Sequence, residues 1–340
     1  MFKNGHPTRR LPRAAFSLGI AGTVLALAAC GSSTAASTAG PSTGPGVAAN
    51  AAGGGAGLST PAGSSSYPTQ DVVSAIVVDP ALKAELPADA QASGKLTLGT
   101  TIAPGVSGLP HAGTGTDGTQ VGVDVDLRNA IGKVLGVTWD VQNGTFATII
   151  PGVQNGKYDV GQDNFGVTKA REQVVDFATY LTDGQAFLAP SAGKLDKVST
   201  VTDVCGLDVG TSPGSTFQQI LTAAAPKCAA AGKEPFSVQY FGDTAPIFLG
   251  LANGKLDAYF GPTLSLQYDA LHVPNTKILG QVSSTTVGFV TGKGSPLAKP
   301  ISDAVNKLIA SGDYAKILDK WGVASSSGIA KSEVNPAAVL

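Results

Sequence analysis

The chain has 340 residues, of which 14% are charged, and a formal net charge of -1. That length allows one or two domains, and the near-neutral balance excludes nucleic-acid binding through a basic surface. Three histidines are scattered with no HExxH or CxxC spacing, so neither a zinc centre nor any other cofactor is expected.

Residues 1–30 read as an export signal. Lys3, Arg9, Arg10 and Arg13 give a basic start, and residues 14–29 are apolar but too short to span a bilayer comfortably. The tail Leu27-Ala28-Ala29-Cys30 resembles a bacterial lipobox, in which the cysteine is diacylated and becomes the mature N-terminus. A plain secretion signal accepts the same small residues but leaves Cys30 unexplained. Two acyl chains suffice for stable anchoring. Residues 31–66 contain no charge and no aromatic ring, and such a segment cannot bury enough apolar surface to offset its ordering entropy. It reads as a disordered tether over 31–70, about 30 Å long on average, that holds a soluble domain off the membrane.

From residue 71 the composition changes. Residues 72–86 read as a short leader packed on a first lobe, 96–100 as a first strand, 111–119 as a Gly-rich loop and 121–125 as a second strand or hairpin return. Leu127, Ala130, Ile131, Val134 and Leu135 form one face of a helix that Gly136 stops. Val137, Trp139 and Val141 alternate as a strand, and a helix over 146–154 leads to a strand at 159–161. Further on, 207–209 is a strand and Phe217, Ile220, Leu221 and Ala224 are a helical face. Phe236, Val238 and Tyr240 alternate, and Asp243 caps a helix that ends near Gly254. Strands follow at 256–260 and 287–290, and two amphipathic helices close the chain through Ile301, Ala304 and Leu308, then Tyr314, Ile317, Leu318 and Trp321. Strands alternating with helices imply an α/β fold with parallel sheets.

The most informative stretch is 156–180. A short strand leads to the polar loop 162–166, and Thr168 is a good N-cap for a helix carrying Lys169, Ala170, Arg171 and Glu172. Ligands of open α/β sheets bind at such strand-to-helix loops. Arg171 can reach back over the loop, where a guanidinium suits a two-pronged bond to a carboxylate. The alternative is an ion pair of Arg171 with Glu172 or Asp176 on a solvated face.

The pattern D-V-x-x-x-x-F-x-V-T-x-x-R-x-x-x-V-D-F over 159–177 resembles the signature of the family 3 extracellular solute-binding proteins, the polar amino-acid receptors of ABC importers. Matches continue through Gly122-Val123-Asp124-Val125-Asp126-Leu127, Ile149-Ile150-Pro151, Gly254-Lys255-Leu256-Asp257-Ala258 and Gly312-Asp313-Tyr314, and so cover roughly 94–323. The resemblance implies the two-lobed periplasmic-binding-protein fold, type II-like, with two helix-flanked sheets joined by a two-strand hinge near Phe187 and Ser283. Lobe 1 would be 71–187 plus 285–325, lobe 2 would be 188–284, and 326–340 a C-terminal tail. It implies no catalysis, a monomer, a small carboxylate-bearing ligand such as an amino acid, a membrane permease as partner, and a place on the extracellular face of the cytoplasmic membrane. No Walker A motif occurs, so a separate ATPase would supply energy. Two other roles fit the same fold: a ligand sensor feeding a signalling partner, and a catalytic derivative of the dehydratase kind.

The resemblance places the ligand carboxylate at Arg171. It places lobe 2 contacts at Gly214, Ser215 and Thr216, where a strand gives way to a helix whose N-terminus suits an anion. Ser215 or Thr216 would serve as an N-cap in any case. Phe146 aligns with a ring that stacks on the ligand, and a core phenylalanine fits that position equally. Cys205 and Cys228 bracket the first strand and helix of lobe 2. Outside the cytoplasm a bridge is the natural reading, against two buried free thiols.

Three departures stand out. Pro262 occupies the position of the family's ammonium-binding aspartate, Gly166 that of a hydroxyl residue, and the Gly-rich run around His111 that of an aromatic segment. A buried ammonium needs a counter-charge, and Asp163, beside Asn164 on the binding loop, is the candidate. Gly210-Thr211-Ser212-Pro213-Gly214 also fits the G-x-S-x-G elbow of hydrolases, with Asp257 and His272 following in order. The oxyanion hole, however, needs the N–H of the residue after the serine, and Pro213 has none. Gly113, Gly115 and Gly118 form a lone G-x-G-x-x-G, read as a loop because strand follows it where a dinucleotide site needs helix.

Overall fold

A computed structural model describes residues 67–340; the export signal, Cys30 and nearly all of the tether lie outside them. The leader adds two short helices, α1 (Pro80–Ala84) and α2 (Ala88–Ser93), before β1 (Lys95–Thr100). Val72, Val73, Ile76, Leu82 and Leu86 pack onto the first core, as expected of a leader. The Gly-rich run folds back on itself as a hairpin of β2 (Gly113–Thr114) and β3 (Gln120–Val121).

Of the strand or hairpin return expected over 121–125, only Val121 belongs to the hairpin. Helix α3 (Val123–Leu135) starts immediately after Gly122. Gly122 takes φ +142°, and a Cβ there would lie 2.1 Å from the His111 carbonyl oxygen, so only glycine makes the turn. The carbonyls of Pro110 and His111 accept the N–H groups of Val123 and Asp124 at 2.7 and 3.0 Å. Asp124 and Asp126 sit in the first turn, where the helix dipole favours acids. Alternating apolar residues here are the start of a helix face, with Val123, Leu127, Ala130, Ile131 and Val134 all in the core.

β4 (Thr138–Asn143), α4 (Phe146–Gln154), β5 (Val160–Gly161), α5 (Lys169–Glu172) and β6 (Val175–Pro190) follow. Next come β7 (Asp208–Thr211), α6 (Thr216–Ala230), β8 (Ser237–Tyr240), α7 (Ala245–Ala252), β9 (Ala258–Pro262), α8 (Thr263–His272) and β10 (Thr276–Gly292). Helices α9 (Ala298–Ser311), α10 (Asp313–Lys320) and α11 (Ala324–Ser327) complete the set.

The strands run β4-β1-β5-β10-β6-β9-β7-β8. β1 pairs in parallel with β4 and β5, and β7 with β8 and β9. The antiparallel strands β6 and β10 pass through both halves. β10 meets β5 at Val290↔Gly161, and β6 meets β9 at Gln185↔Pro262. The expected crossing near Phe187 and Ser283 is this ladder, and through it the two sheets form one hydrogen-bonded series. Register shifts at Ile278/Gly280, Gln281/Ser283 and Val287/Gly288 interrupt it at the crossing, and bulges of this kind bend and twist a ladder. One core gathers α3, α9, α10 and the first half of β6. The other holds Phe187 stacked on Phe260 at 4.1 Å with Phe217 edge-on to Phe260.

Beyond β6, the first half has an open sheet edge, and the C-terminal tail covers it. Thr179 N–H donates to Glu333 O at 3.1 Å, Asn335 N–H to Phe177 O at 3.2 Å, and Phe177 N–H to Asn335 Oδ1 at 2.8 Å. A covered edge is protected from pairing with another chain.

Cys205 and Cys228 are bridged, with their Cα atoms 5.7 Å apart, and the bridge ties the turn before β7 to α6. Replacing both with serine is expected to lower unfolding stability by roughly 3 kcal/mol in denaturant titrations, with ligand affinity unchanged because the bridge lies at the far end of α6 from Ser215.

Candidate functional site

The loop after β5 and the start of α6 meet across the cleft. Thr168 caps α5 as its sequence implies, accepting Arg171 N–H at 3.2 Å. This places the Arg171 side chain back over the loop. Its Nη1 donates to Gly166 O at 2.8 Å and its Nη2 to Gly214 O, on the opposite lobe, at 3.0 Å. The guanidinium carbon lies 5.5 Å from the ring centres of both Phe146 and Phe165, which are 4.8 Å apart. Phe165 is fully buried, whereas Phe146 is half-buried and packs against the same core cluster.

No carboxylate lies within 4.0 Å of Arg171 among the described residues. The alternative ion pair with Asp176 does not form, because Asp176 is taken by Lys293 at 2.8 Å and by Gly294 N–H. Removal from water pulls the Arg171 pKa down to about 10. The site therefore holds a cation stacked on aromatic faces and satisfied only by neutral carbonyls.

Gly214 adopts φ +72°, and its N–H donates to Gln218 Oε1 at 2.7 Å. Ser215 is the N-cap of α6: its Oγ accepts Gln218 N–H at 3.1 Å and donates to Ser212 O at 2.6 Å. Its hydroxyl is thus committed to capping. Thr216 stands over the opposite loop. A Cβ on Gly166 would lie 3.2 Å from Thr216 Cγ2 and 2.7 Å from Thr285 Oγ1, so the space of a side chain at 166 is already filled. Arg171, Thr168, Gly214, Ser215 and Gln218 line one open cavity.

Deeper in lobe 1 the loop joins a buried charge cluster. Asp163 Oδ2 accepts Thr101 Oγ1–H at 2.6 Å. Burial, helped by the Asp124 charge, pushes the Asp163 carboxyl up to about 7 against the opposing pull of Thr101 and His111. Asn164 takes φ +52°, and its Nδ2 donates to Asp183 Oδ2 at 2.9 Å. Asp183 also meets His111 Nε2 at 2.9 Å, while His111 Nδ1 lies 3.4 Å from Asp124. Burial alone would lower the His111 pKa, but the Asp124 charge and the bond to Asp183 outweigh it and raise it to about 10, which favours the protonated ring between the two carboxylates. Asp183 Oδ1 accepts Leu264 N–H at 3.2 Å, in the first turn of α8. Pro262, which stands where the family has an acid, is the residue before that helix. His111, Asp124 and Asp183 were not among the expected site residues. The signal available was a lone charge, Asp183, in the otherwise uncharged stretch 177–190 of β6.

The hydrolase reading fails on partners as well as on Pro213. Asp257 binds Lys194 at 2.9 Å and Asp208 N–H at 3.0 Å. His272 stacks on Tyr268 and donates from Nδ1 to Tyr268 O at 2.7 Å. Gly113, Gly115 and Gly118 belong to the β2–β3 hairpin and open no helix.

Residues 105–324 match the sequence profile of the bacterial extracellular solute-binding proteins, family 3. The arginine-binding protein ArgT of Corynebacterium glutamicum is 26% identical over 213 residues, 61% of this chain and 69% of that protein. The ABC transporter glutamine-binding protein GlnH of Bacillus subtilis is 30% identical over 212 residues, 61% and 74% of the two chains. An ancestral arginine-binding protein solved with arginine superposes with TM-score 0.60 at 30% identity, over 67% of this chain and 98% of that one.

Asp163 carries a stability signature. Its native carboxyl keeps a proton to about pH 7, whereas an unfolded aspartate loses it near pH 3.9. The native state binds more protons in that window, so its stability falls as pH rises. Asp163→Asn should remove that slope: melting temperatures of the two proteins are expected to diverge between pH 5 and pH 8, in favour of the variant.

Proposed function

The chain belongs to the bacterial extracellular solute-binding proteins, family 3, and on that basis we propose that it captures a free amino acid or close derivative and presents it to an ABC permease. One observation carries this reading: Arg171 is half-buried, packed over two rings, and bonded to two carbonyl oxygens with no acid within 4.0 Å among the described residues. A ligand carboxylate carries a full negative charge and is a stronger acceptor than a peptide carbonyl, so it displaces Gly214 O and gains two parallel N–H bonds. The relatives' names, arginine-binding and glutamine-binding, fit a ligand with that carboxylate.

The chain acts by binding, and turnover is not part of its role. The lobes, 71–187 with 285–325 and 188–284, close on the ligand about β6 and β10. Asp163 supplies the negative pole for the ligand's cationic nitrogen. A lipid on Cys30 and the tether over 31–70 keep the domain at the outer face of the membrane as a monomer.

Two measurements test these points. Arg171→Met should weaken binding of the best ligand from an amino-acid panel by about 3 kcal/mol, roughly a hundredfold in Kd by calorimetry; an unchanged Kd overturns the carboxylate clamp. Cys30→Ala should move the protein produced in bacteria from the detergent phase to the aqueous phase in phase-separation assays.

A further inference from the structure

The family match ends at residue 324, and the residues beyond it turn back across the first lobe. Ile329 N–H donates to the Tyr314 hydroxyl at 3.1 Å. Ser332 is fully buried between elements: its N–H donates to Asn306 Oδ1 at 2.8 Å, its carbonyl accepts from Asn306 Nδ2 at 3.0 Å, and its Oγ donates to Thr179 O at 2.6 Å. Val334 pairs with Ala178 of β6 in an antiparallel bridge. Asn335 uses both ends of its amide. Its Oδ1 accepts Phe177 N–H and its Nδ2 donates to Asp176 Oδ1, each at 2.8 Å. Ala338 packs against the cluster of Phe165, Val167 and Phe177. The segment then reaches α5, where Leu340 O accepts Lys169 N–H at 3.0 Å.

Helix α5 has four residues, too few to hold a helical turn unaided. The first N–H groups of a helix have no partner inside it. Here Thr168 Oγ1 takes that of Arg171 and Leu340 O takes that of Lys169. We propose that residues 329–340 are a strap that positions Arg171. Ser332 and Asn335 fix the strap along β6, and Leu340 O completes the frame from which the guanidinium reaches the cleft. Asn335 and Leu340 are positioning residues that act through Arg171. The effect of the strap on ligand affinity rests on the amino-acid reading above, whereas its effect on α5 does not.

Two variants of the full chain test this. One lacks residues 337–340. The other is Asn335→Gly, which keeps the backbone freedom that φ +49° requires and deletes both amide bonds. In both, hydrogen exchange at the Lys169 to Arg171 amides should quicken roughly tenfold or more while α3 and α9 keep their protection. Calorimetry with the best ligand from an amino-acid panel should show Kd rising about tenfold. In an Arg171→Met background the same changes should leave Kd almost unmoved, because a positioning residue then has nothing left to position. A loss of equal size in both backgrounds marks a general role in the stability of lobe 1 and overturns the proposal, as does unchanged exchange at α5. Exchange alone decides where the Arg171→Met protein binds too weakly to titrate. If no amino acid binds the unaltered chain, the amino-acid reading fails, and exchange at α5 still decides the strap.

Discussion

Everything in the cleft is referred to the pairing of β6 with β10. Both strands run the full width of the sheet, so one ladder supplies a wall to each lobe and the crossing between them. A continuous ladder would be stiff. The register shifts at Ile278/Gly280 and Gln281/Ser283 interrupt it at the crossing itself, where Gly280 takes φ +144° and its missing Cβ leaves room for the Val198 carbonyl. On either side of the shifts, Val175–Thr179 stays paired with Gly288–Gly292 and Leu188–Pro190 with Thr276–Ile278.

The polar groups follow from that arrangement. Arg171 belongs to one half and Gly214 to the other, so the bond between Arg171 Nη2 and Gly214 O exists only when the halves are close. A carbonyl at that place is a weak substitute for a carboxylate. The same logic explains Gly166. With the Thr285 hydroxyl and the Thr216 methyl converging on the space of its absent side chain, a side chain there would meet both, and the hydroxyl at that place comes from Thr285 on the neighbouring strand instead.

Much of the frame was legible in the sequence because it is local. The helix over 146–154, the Thr168 cap and the apolar face from Leu127 to Leu135 depend on neighbours within a turn or two. Ordered motifs then placed Arg171, Phe146 and Gly214 in one cleft. The strand or hairpin return expected over 121–125 ends at Val121, because the residues after Gly122 look extended by composition, while distant carbonyls at Pro110 and His111 cap a helix there. The His111–Asp183 contact spans 72 residues and depends on the fold being complete. No spacing rule could connect a histidine in a Gly-rich loop to an acid in a strand.

That contact also resolves the oddity at Pro262. An acid at the start of α8 would satisfy free N–H groups of the helix and offer a charge to the ligand. Here Asp183 reaches the same helix start from the crossing strand and takes Leu264 N–H, so the helix loses nothing by having proline before it. The cost is that Asp183 is neutralised by the His111 imidazolium and faces inward. The other acids of the cluster differ in their partners. Asp124 is already beside His111 and Arg128. Asp163 has no cationic partner within 4.0 Å among the described residues, and its carboxyl accepts from the Thr101 hydroxyl. Burial raises its pKa to about 7, so a cation brought beside it would restore its charge.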